Sequence, residues 1–366
     1  MTSIYIHIPF CDKICSYCDF CKVLYNSSLV DKYLDVLEKE VNDRYHGEVV
    51  DTIYIGGGTP SSLSFLQLEK LFNLIKKINK SKTCEFTIEA NFESINKDKL
   101  DLFKKYGINR LSFGLETINP EHLKFLNREF NKKHVIDMIK YAKEIGLDNI
   151  NIDLIYALVN QSMSDLKNDL DFIMSLDIKH ISTYSLIIEN NTLLKYKNIK
   201  NIDEDLDLEM YHFICNYLKA KGFLHYEISN FSKEGYQSRH NLVYWHNLEY
   251  YGFGIGASSY LNNKRFTNTR SFNKYFSGEY ILSSENVTDH DKMEYEILLG
   301  LRLSDGINKD IFYNKFGKKI NECYNYDVLI NNGFIVDDGD SLFVPEDKFY
   351  ISNEIIVQFI EGEKYG

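Results

Sequence analysis

The chain alternates short apolar, β-branched runs with longer stretches whose apolar positions recur at helical spacing. The short runs are typical of buried strands, and the longer stretches place their apolar side chains on one face of a helix. Between residues 3 and 186 this alternation predicts parallel strands joined by right-handed helical crossovers, and therefore an open or partial α/β barrel. The predicted strands are Ser3–Ile8, Asp51–Ile55, Cys84–Ala90, Asn109–Leu115, Asn149–Ile155 and His180–Leu186. The predicted helices between them are Leu29–Tyr45, Leu66–Ile78, Lys97–Tyr106, Lys133–Ile145 and Ser164–Leu176.

The rhythm changes after about residue 203. A helical pattern over Glu204–Lys221 precedes a strand-like run, His225–Ser229, and then an aromatic, glycine-rich stretch over residues 244–260. From about residue 287, helical patterns precede a hairpin (residues 334–336 with 342–344) and a last helix, which is typical of a small winged-helix-like α+β domain. We therefore expect a core over residues 1–230, an extension of that core over 231–285, and a C-terminal domain over 286–366.

Composition narrows the classes of partner. Among 366 residues, 42 are basic and 53 acidic, so the net charge is −11, which argues against a general nucleic-acid surface or docking on an anionic membrane. No stretch approaches the ~18 consecutive apolar residues that span a bilayer. The first ten residues carry no basic segment before an apolar run, as a signal peptide does. We expect a soluble, cytoplasmic protein that is not an integral membrane protein, and the oligomeric state stays open.

Four of the seven cysteines are Cys11, Cys15, Cys18 and Cys21. In a cytosolic chain such a cluster is more often a metal or redox site than a disulfide framework. The three in Cys11-x3-Cys15-x2-Cys18 directly follow the first predicted strand, and thiolates are the ligands of iron–sulfur clusters. Three ligands on a four-iron cluster leave one iron open. A structural zinc would instead need a fourth ligand, which Cys21 offers, so the residues alone leave both readings open.

Polar and glycine-rich segments follow the next strands. The run Gly56-Gly57-Gly58-Thr59-Pro60 allows close approach of a ligand to the backbone, although a strand-to-helix turn can need glycine for itself. In α/β barrels, polar side chains that converge at strand ends hold ligands, whereas each alone could be an ordinary ion pair. The candidates are Glu89 at the end of the third predicted strand, Glu116 at the end of the fourth, Arg128 after it, and Asp153 on the fifth.

The cysteine spacing and the GGGTP turn resemble the radical S-adenosylmethionine (SAM) superfamily, in particular its coproporphyrinogen-III-oxidase-like branch. The resemblance implies the superfamily's partial (β/α)6 barrel, which is TIM-like, with a [4Fe–4S] cluster on Cys11, Cys15 and Cys18. It implies that Tyr17, just before the third cysteine, lies beside the SAM adenine, and that the GGGTP segment holds the amino group of the methionine moiety. The full set of SAM-binding residues that it implies is Tyr5, Tyr17, Gly57, Gly58, Thr59, Glu89, Glu116, Arg128 and Asp153.

The chain departs from this branch at three places. The branch has an additional cysteine two positions after the third ligand, where this chain has Phe20, so we expect Cys21 to be a bystander. It usually has Gln at the position of Glu116. It usually reads GLPGQ where residues 157–161 read ALVNQ.

A later string, His240-Asn241-x-x-Tyr244-Trp245, holds the chain's only tryptophan. A neutral imidazole can ligate heme iron and aromatic rings can stack on a porphyrin, although a structural histidine beside core aromatics has the same appearance. The string resembles the heme-binding motif of the HemW heme chaperones of this branch, which implies that these four residues bind heme. The preceding YEISNF matches the same group, as do His180, Tyr184 and Glu189, whereas its usual GAHSY is Gly-Ala-Ser-Ser-Tyr over residues 256–260.

These observations favour a heme chaperone that transfers heme to client proteins, respiratory proteins among them, with a [4Fe–4S] cluster, SAM and heme as its cofactors. The motif and the missing additional cysteine favour it over an oxygen-independent coproporphyrinogen III dehydrogenase, whose activity we expect to be absent. Two alternatives stay open: another radical SAM reaction, and a zinc-stapled binding module without SAM chemistry. We assign no catalytic residue.

Overall fold

The alternation of strands and helices is present in the computed structural model, which describes residues 2–363 and has the predicted α/β class. The strands are β1 Thr2–Ile8, β2 Phe10–Cys11, β3 Val23–Leu24, β4 Val50–Gly57, β5 Lys80–Asn91, β6 Arg110–Glu116, β7 Ile150–Tyr156, β8 His180–Ser185, β9 Leu224–Glu227, β10 Asn230–Ser232, β11 Tyr250–Phe253, β12 Ser258–Leu261, β13 Lys264–Asn268, β14 Ile281–Asn286, β15 Ile307–Asn308, β16 Val336–Asp337 and β17 Ser341–Phe343. The α-helices are α1 Ser27–Arg44, α2 Phe65–Ile75, α3 Lys97–Lys105, α4 Pro120–Leu126, α5 Lys132–Glu144, α6 Met163–Ser175, α7 Leu193–Tyr196, α8 Glu204–Ala220, α9 Arg239–Trp245, α10 Phe272–Phe276, α11 Asp289–Gly300, α12 Lys309–Phe316, α13 Ile320–Cys323, α14 Asp327–Asn331 and α15 Ser352–Glu361.

The chain divides into two compact units. The first contains residues 1–212 and 249–285, and the second contains residues 213–248 and 286–366. This division differs from the sequence-based expectation, which placed residues 213–230 in the core and 231–248 in its extension. One edge of the division, at residue 286, coincides with the expected start of the C-terminal domain.

The first unit is built on a sheet in which β1, β4, β5, β6, β7 and β8 are neighbours in chain order and pair in parallel. Helices connect these strands, as the right-handed crossover rule requires. On the other side of β1, β11 also pairs in parallel, and it continues into the antiparallel β12 and β13. The sequence pattern predicted the six parallel strands but not this extension of the sheet.

The two faces of the parallel strands differ in character. On β1, Ile4, Ile6 and Ile8 are fully buried, and Tyr5 and His7 project from the opposite face because side chains alternate along a strand. The pairing register places the side chains next to Tyr5 in one row across four strands. That row consists of Tyr5, Tyr54, Thr87 and Arg110. The inward face of the sheet is therefore polar, which suits a ligand better than a packed core.

Local sequence explains where the helices begin. Asn26 caps α1 through a hydrogen bond from the backbone N–H of Leu29, and Ser64 forms a reciprocal capping box with Gln67 at α2. The short helix α4 was not predicted. It begins after Asn119 with a proline in its first turn, and at seven residues it is too short to show a helical period.

The second unit carries α9 and a small α+β core. Strand β15 pairs with β17, and β17 pairs with β16 in the hairpin that the sequence predicted. Fully buried Ile297, Phe312, Leu342 and Phe359 bring α11, α12, β17 and α15 together. Within residues 2–363, no helix is at once long and apolar enough to cross a membrane.

Candidate functional site

Cys11 ends β2, and Cys15 and Cys18 lie in the loop between β2 and β3. Hydrogen bonds to the backbone fix this loop from three directions. Thr59 N–H donates to the Phe10 carbonyl at 2.7 Å, Ser16 N–H donates to the Leu126 carbonyl at 3.1 Å, and Leu194 N–H donates to the Ser16 carbonyl at 3.2 Å. The glycine-rich turn after β4, the end of α4 and the start of α7 thus hold one loop, which gives the cysteines a fixed frame.

The three cysteines of the motif interact electrostatically with one another. Burial raises the pKa of Cys11 to about 11, a hydrogen bond from Thr59 opposes this, and the charges of Cys18 and Cys15 raise it further. Burial also raises the pKa of Cys15, with Arg128 acting in the opposite direction. Neighbouring buried thiols resist ionisation unless a cation joins them. A bound metal centre would supply that cation.

Cys21 has different surroundings. Its carbonyl oxygen lies 2.7 Å from Nε2 of His7, and its side chain packs against Gly256, where an added Cβ would lie 3.1 Å from the sulfur. Burial raises the pKa of Cys21, and the charges that act on it are those of Arg270 and Lys22, with no contribution from another cysteine. The charges of other motif cysteines thus act on Cys11 and Cys15, whereas Cys21 has a different electrostatic environment.

The donor set fits an iron–sulfur cluster better than a single zinc. A tetrahedral zinc with bonds of about 2.3 Å draws its thiolates to within about 4 Å of one another. In the part of the chain that the structure describes, no three cysteine sulfurs lie within 4.8 Å of one another. The one group of His, Cys, Asp and Glu that meets this spacing there is His290, Asp291 and Glu294. A four-iron cluster binds each thiolate on a separate iron and suits the wider spacing.

Glu116, Arg128 and Tyr17 form a buried group next to Cys15. The Tyr17 hydroxyl donates to Glu116 Oε1 at 3.0 Å, and Arg128 Nη2 lies 3.0 Å from Glu116 Oε2. Arg128 Nη1 approaches Cys15 Sγ at 4.0 Å, and its Nη2 donates to the Gly114 carbonyl. Burial raises the pKa of Glu116 to about 7 against the opposing effect of Arg128. The acid that replaces the usual Gln thus binds the neighbouring cation.

Glu89 and Asp153 form a second group. The Tyr54 hydroxyl donates to Glu89 Oε1 at 2.8 Å, and the Gly57 N–H donates to Oε2 at 2.9 Å. Burial raises the pKa of Asp153 to about 6, and the charge of Glu89 raises it further. The charge of Asp153 also raises the pKa of Glu116, and the two residues lie on the paired strands β7 and β6. The structure brings the predicted SAM-binding carboxylates together.

His7 belongs to the site and was missed by sequence reasoning. Tyr5 Oη lies 2.9 Å from its Nδ1, and Cys21 O lies 2.7 Å from its Nε2. Its ring covers Gly57, whose φ is +118°, and a Cβ there would lie 2.5 Å from the ring. The expectation that Gly57 leaves room directly for a ligand is therefore incomplete, because the space beside its Cα is filled by His7. The alternation along β1, which puts residues 5 and 7 on one face, was the signal that could have found it.

Residues 157–161, which read ALVNQ where the branch usually reads GLPGQ, keep the backbone conformation that glycine normally allows. Ala157 has φ +57° and Asn160 has φ +61°, the positions where the branch has its two glycines. Asn adopts this left-handed region readily, whereas Ala there is strained by about 1–2 kcal/mol. The turn is retained despite the changed residues, and Gln161 accepts a hydrogen bond from Leu158 N–H at 3.1 Å.

The HNxxYW string forms α9 in the second unit. Ser238 caps the helix, and its backbone N–H donates to the Tyr226 hydroxyl at 3.2 Å, which ties the motif to the preceding YEISNF segment. His240 is 1% exposed, and its Nε2 lies 2.8 Å from the Tyr244 hydroxyl. Trp245 and Asn241 are partly exposed. His240 is thus closed by Tyr244, and iron could reach Nε2 only after this hydrogen bond opens.

Of the other matched positions, His180 is fully buried and Tyr184 and Glu189 are exposed. His180 Nδ1 lies 2.6 Å from Asn151 Oδ1, and Asn151 Nδ2 donates to Asp153 Oδ1 at 2.8 Å. His180 therefore supports the Asp153 group from within the barrel.

Comparison with known proteins places this geometry in a family. The model of the radical SAM superfamily matches residues 5–173, and that of the HemN C-terminal domain matches residues 287–347. The heme chaperone HemW of Bacillus subtilis is 36% identical over 376 residues, covering 98% of this chain and 99% of that protein. HemW of Escherichia coli is 33% identical over 300 residues and covers 79% of each.

Among solved structures, the radical SAM enzyme coproporphyrinogen III oxidase (HemN) from Escherichia coli matches with a TM-score of 0.86. The match covers 98% of this chain and 89% of that one at 22% sequence identity. At this identity the likeness shows the fold alone. The expected fold, a radical SAM domain followed by a HemN-like C-terminal domain, is confirmed.

Proposed function

The chain belongs to the HemW family of radical SAM proteins, and from its two sites we propose that it binds heme and transfers it to client proteins. The observation that carries the proposal is the helix α9, which presents His240, Tyr244 and Trp245 from a frame fixed by the preceding segment. The relatives that cover nearly the whole chain are named heme chaperones.

Cys11, Cys15 and Cys18 would hold a [4Fe–4S] cluster, and its open iron would bind the amino and carboxylate groups of SAM. The supporting observations are their shared loop and mutual electrostatic effect. Arg128 balances charge beside Cys15, and the carboxylates of Glu89 and Asp153 offer acceptors for the hydroxyl groups of a ribose. The remaining residues of the proposed SAM site are Tyr5, Tyr17, Gly57, Gly58, Thr59 and Glu116.

Heme would bind at α9. His240 is the proposed iron ligand, and Tyr244 and Trp245 offer aromatic faces to the porphyrin. The hydrogen bond between His240 and Tyr244 must open first, which makes the present conformation a closed form of the site. A site that opens and closes suits a protein that must release its heme to another.

Coproporphyrinogen III dehydrogenation is the competing function, and the shared fold and the polar barrel interior favour it. The misplaced Cys21 and the α9 motif favour the chaperone. One preparation distinguishes the two functions. After anaerobic reconstitution of the cluster, the chaperone hypothesis predicts saturable heme binding. With SAM, reductant and coproporphyrinogen III, it predicts no carbon dioxide. Release of carbon dioxide at enzymatic turnover contradicts it.

A further inference from the structure

Arg302 lies over the indole ring of Trp245 in the second unit. Its Cζ is 5.8 Å from the ring centroid. The backbone of Arg302 is fixed, because its carbonyl accepts a hydrogen bond from Ile228 N–H at 3.1 Å and the next residue, Leu303, bridges to Glu227. The tryptophan ends α9, the helix that carries the heme motif. A cation is therefore held at the edge of this motif.

Two donors at this contact have no acceptor. The indole Nε1 of Trp245 and the guanidinium Nε of Arg302 are both buried and make no hydrogen bond within residues 2–363. The remaining polar contact of the guanidinium is from Nη2 to Asn353 Oδ1 at 2.9 Å. Among the carboxylates of the described residues, the charge of Glu227 acts on Arg302 and raises its pKa, against the larger effect of burial, which lowers it. Buried donors normally have partners, so these two N–H groups are open to an acceptor.

The chemistry of the two donors defines which acceptor would suit them. Indole and guanidinium N–H groups can only donate, and one of them is cationic, so the complementary group is an anion with more than one acceptor oxygen. A carboxylate meets both requirements. Because the chain has a net charge of −11, an anionic ligand would need such a local cation to bind tightly.

We propose that Arg302 and Trp245 bind a propionate carboxylate of heme, and that this contact makes the α9 site specific for the free acid. The proposal rests on the proposed function. Heme combines a flat aromatic ring with two carboxylates at one edge, which matches aromatic side chains next to a guanidinium whose Nε has no partner among the described residues. Arg302 is then a specificity-determining residue for the ligand, separate from the proposed iron ligand His240.

The test compares heme with its dimethyl ester, which keeps the iron and the ring but has no carboxylate. Each is titrated into the full-length, cluster-reconstituted protein and followed by the Soret band. Wild-type protein should bind the free acid at least about tenfold more tightly than the ester, as expected for a hydrogen bond to a charged group. Arg302→Gln should remove this preference, and Arg302→Lys should retain part of it, because the charge remains and the planar fork is lost.

A matched control is Arg265→Gln. Arg265 also lies over an aromatic ring, that of Tyr260, with its Cζ 4.5 Å from the centroid, and belongs to the first unit. The Arg265→Gln variant changes the net charge by the same amount as Arg302→Gln and should leave the preference for the free acid intact. The inference is overturned if Arg302→Gln weakens acid and ester alike, which is a structural effect, or if wild-type protein binds the two equally. Wild-type protein that binds neither porphyrin contradicts the proposed function, and this inference with it.

Discussion

The glycine-rich turn permits a prediction whose size follows from the structure. An alanine at position 57 would place Cβ 2.5 Å from Cε1 of His7 and 2.6 Å from its Nδ1, at a φ of +118°. The backbone conformation alone costs an L-residue about 1–2 kcal/mol. Overpacking against a buried ring costs about 1–3 kcal/mol more. Gly57→Ala should therefore lower the free energy of unfolding by about 2–5 kcal/mol.

Two further variants separate these contributions. Gly278 also has a left-handed φ, +87°, but nothing lies within 4 Å of its Cβ position, so Gly278→Ala should cost only the backbone part, about 1–2 kcal/mol. In a His7→Ala background the ring is gone, and the cost of Gly57→Ala should likewise fall to about 1–2 kcal/mol. Urea unfolding under anaerobic conditions measures all three differences in the free energy of unfolding.

The reasoning is refuted if Gly57→Ala costs no more than Gly278→Ala, or if removing the His7 ring leaves the cost of Gly57→Ala unchanged. A variant that keeps full stability but loses SAM affinity would also refute it. That result would show that the Cβ points into the ligand's space and not against His7.

Three more outcomes are expected. Cys21→Ser should leave the iron content and absorbance unchanged, because Cys21 is not one of the three proposed ligands, whereas Cys15→Ser should abolish both. Equal losses in the two variants would make Cys21 a ligand. Burial raises the pKa of Glu227 from 4.5 to about 8, so the folded chain keeps a proton that the unfolded chain loses, and wild-type stability falls as pH rises through this range. Glu227→Gln should not show this fall, so between pH 4 and pH 7 its free energy of unfolding should gain about 3 kcal/mol on wild type in chemical denaturation; parallel pH profiles would argue against a buried, protonated Glu227. Tyr244→Phe removes the hydrogen bond that blocks Nε2 of His240. This bond is worth about 1 kcal/mol, so the variant should bind heme about fivefold more tightly in a Soret titration. Weaker binding would mean that the hydroxyl contacts the ligand.

The sequence was most informative where one physical rule decides the structure. Alternation of apolar runs fixes the six parallel strands, and the close spacing of three cysteines after β1 forces them onto one loop. The short helix α4 and the pairing of β11 with β1 could not be predicted, because neither a seven-residue segment nor a long-range strand partner leaves a periodic signal.

The residues of the candidate site also divide into those that a simple rule predicts and those that depend on tertiary packing. Carboxylates at strand ends were found because parallel strands bring their ends together. His7 and Arg302 were missed for different reasons. His7 lies inside a strand, where a polar residue has no motif of its own, and Arg302 meets Trp245 only through the folding of a segment that follows it by more than fifty residues. Contacts of this kind depend on tertiary packing, which composition and spacing do not encode.

The most direct test of the chaperone account is a heme titration of reconstituted wild-type protein and of His240→Ala, followed at the Soret band under anaerobic conditions. The account predicts saturable binding with one heme per chain, and a band that shifts or bleaches with weaker binding in His240→Ala. Saturable binding with the same spectrum and affinity in both proteins would contradict His240 as the iron ligand. The absence of saturable binding in wild-type protein would contradict the account as a whole.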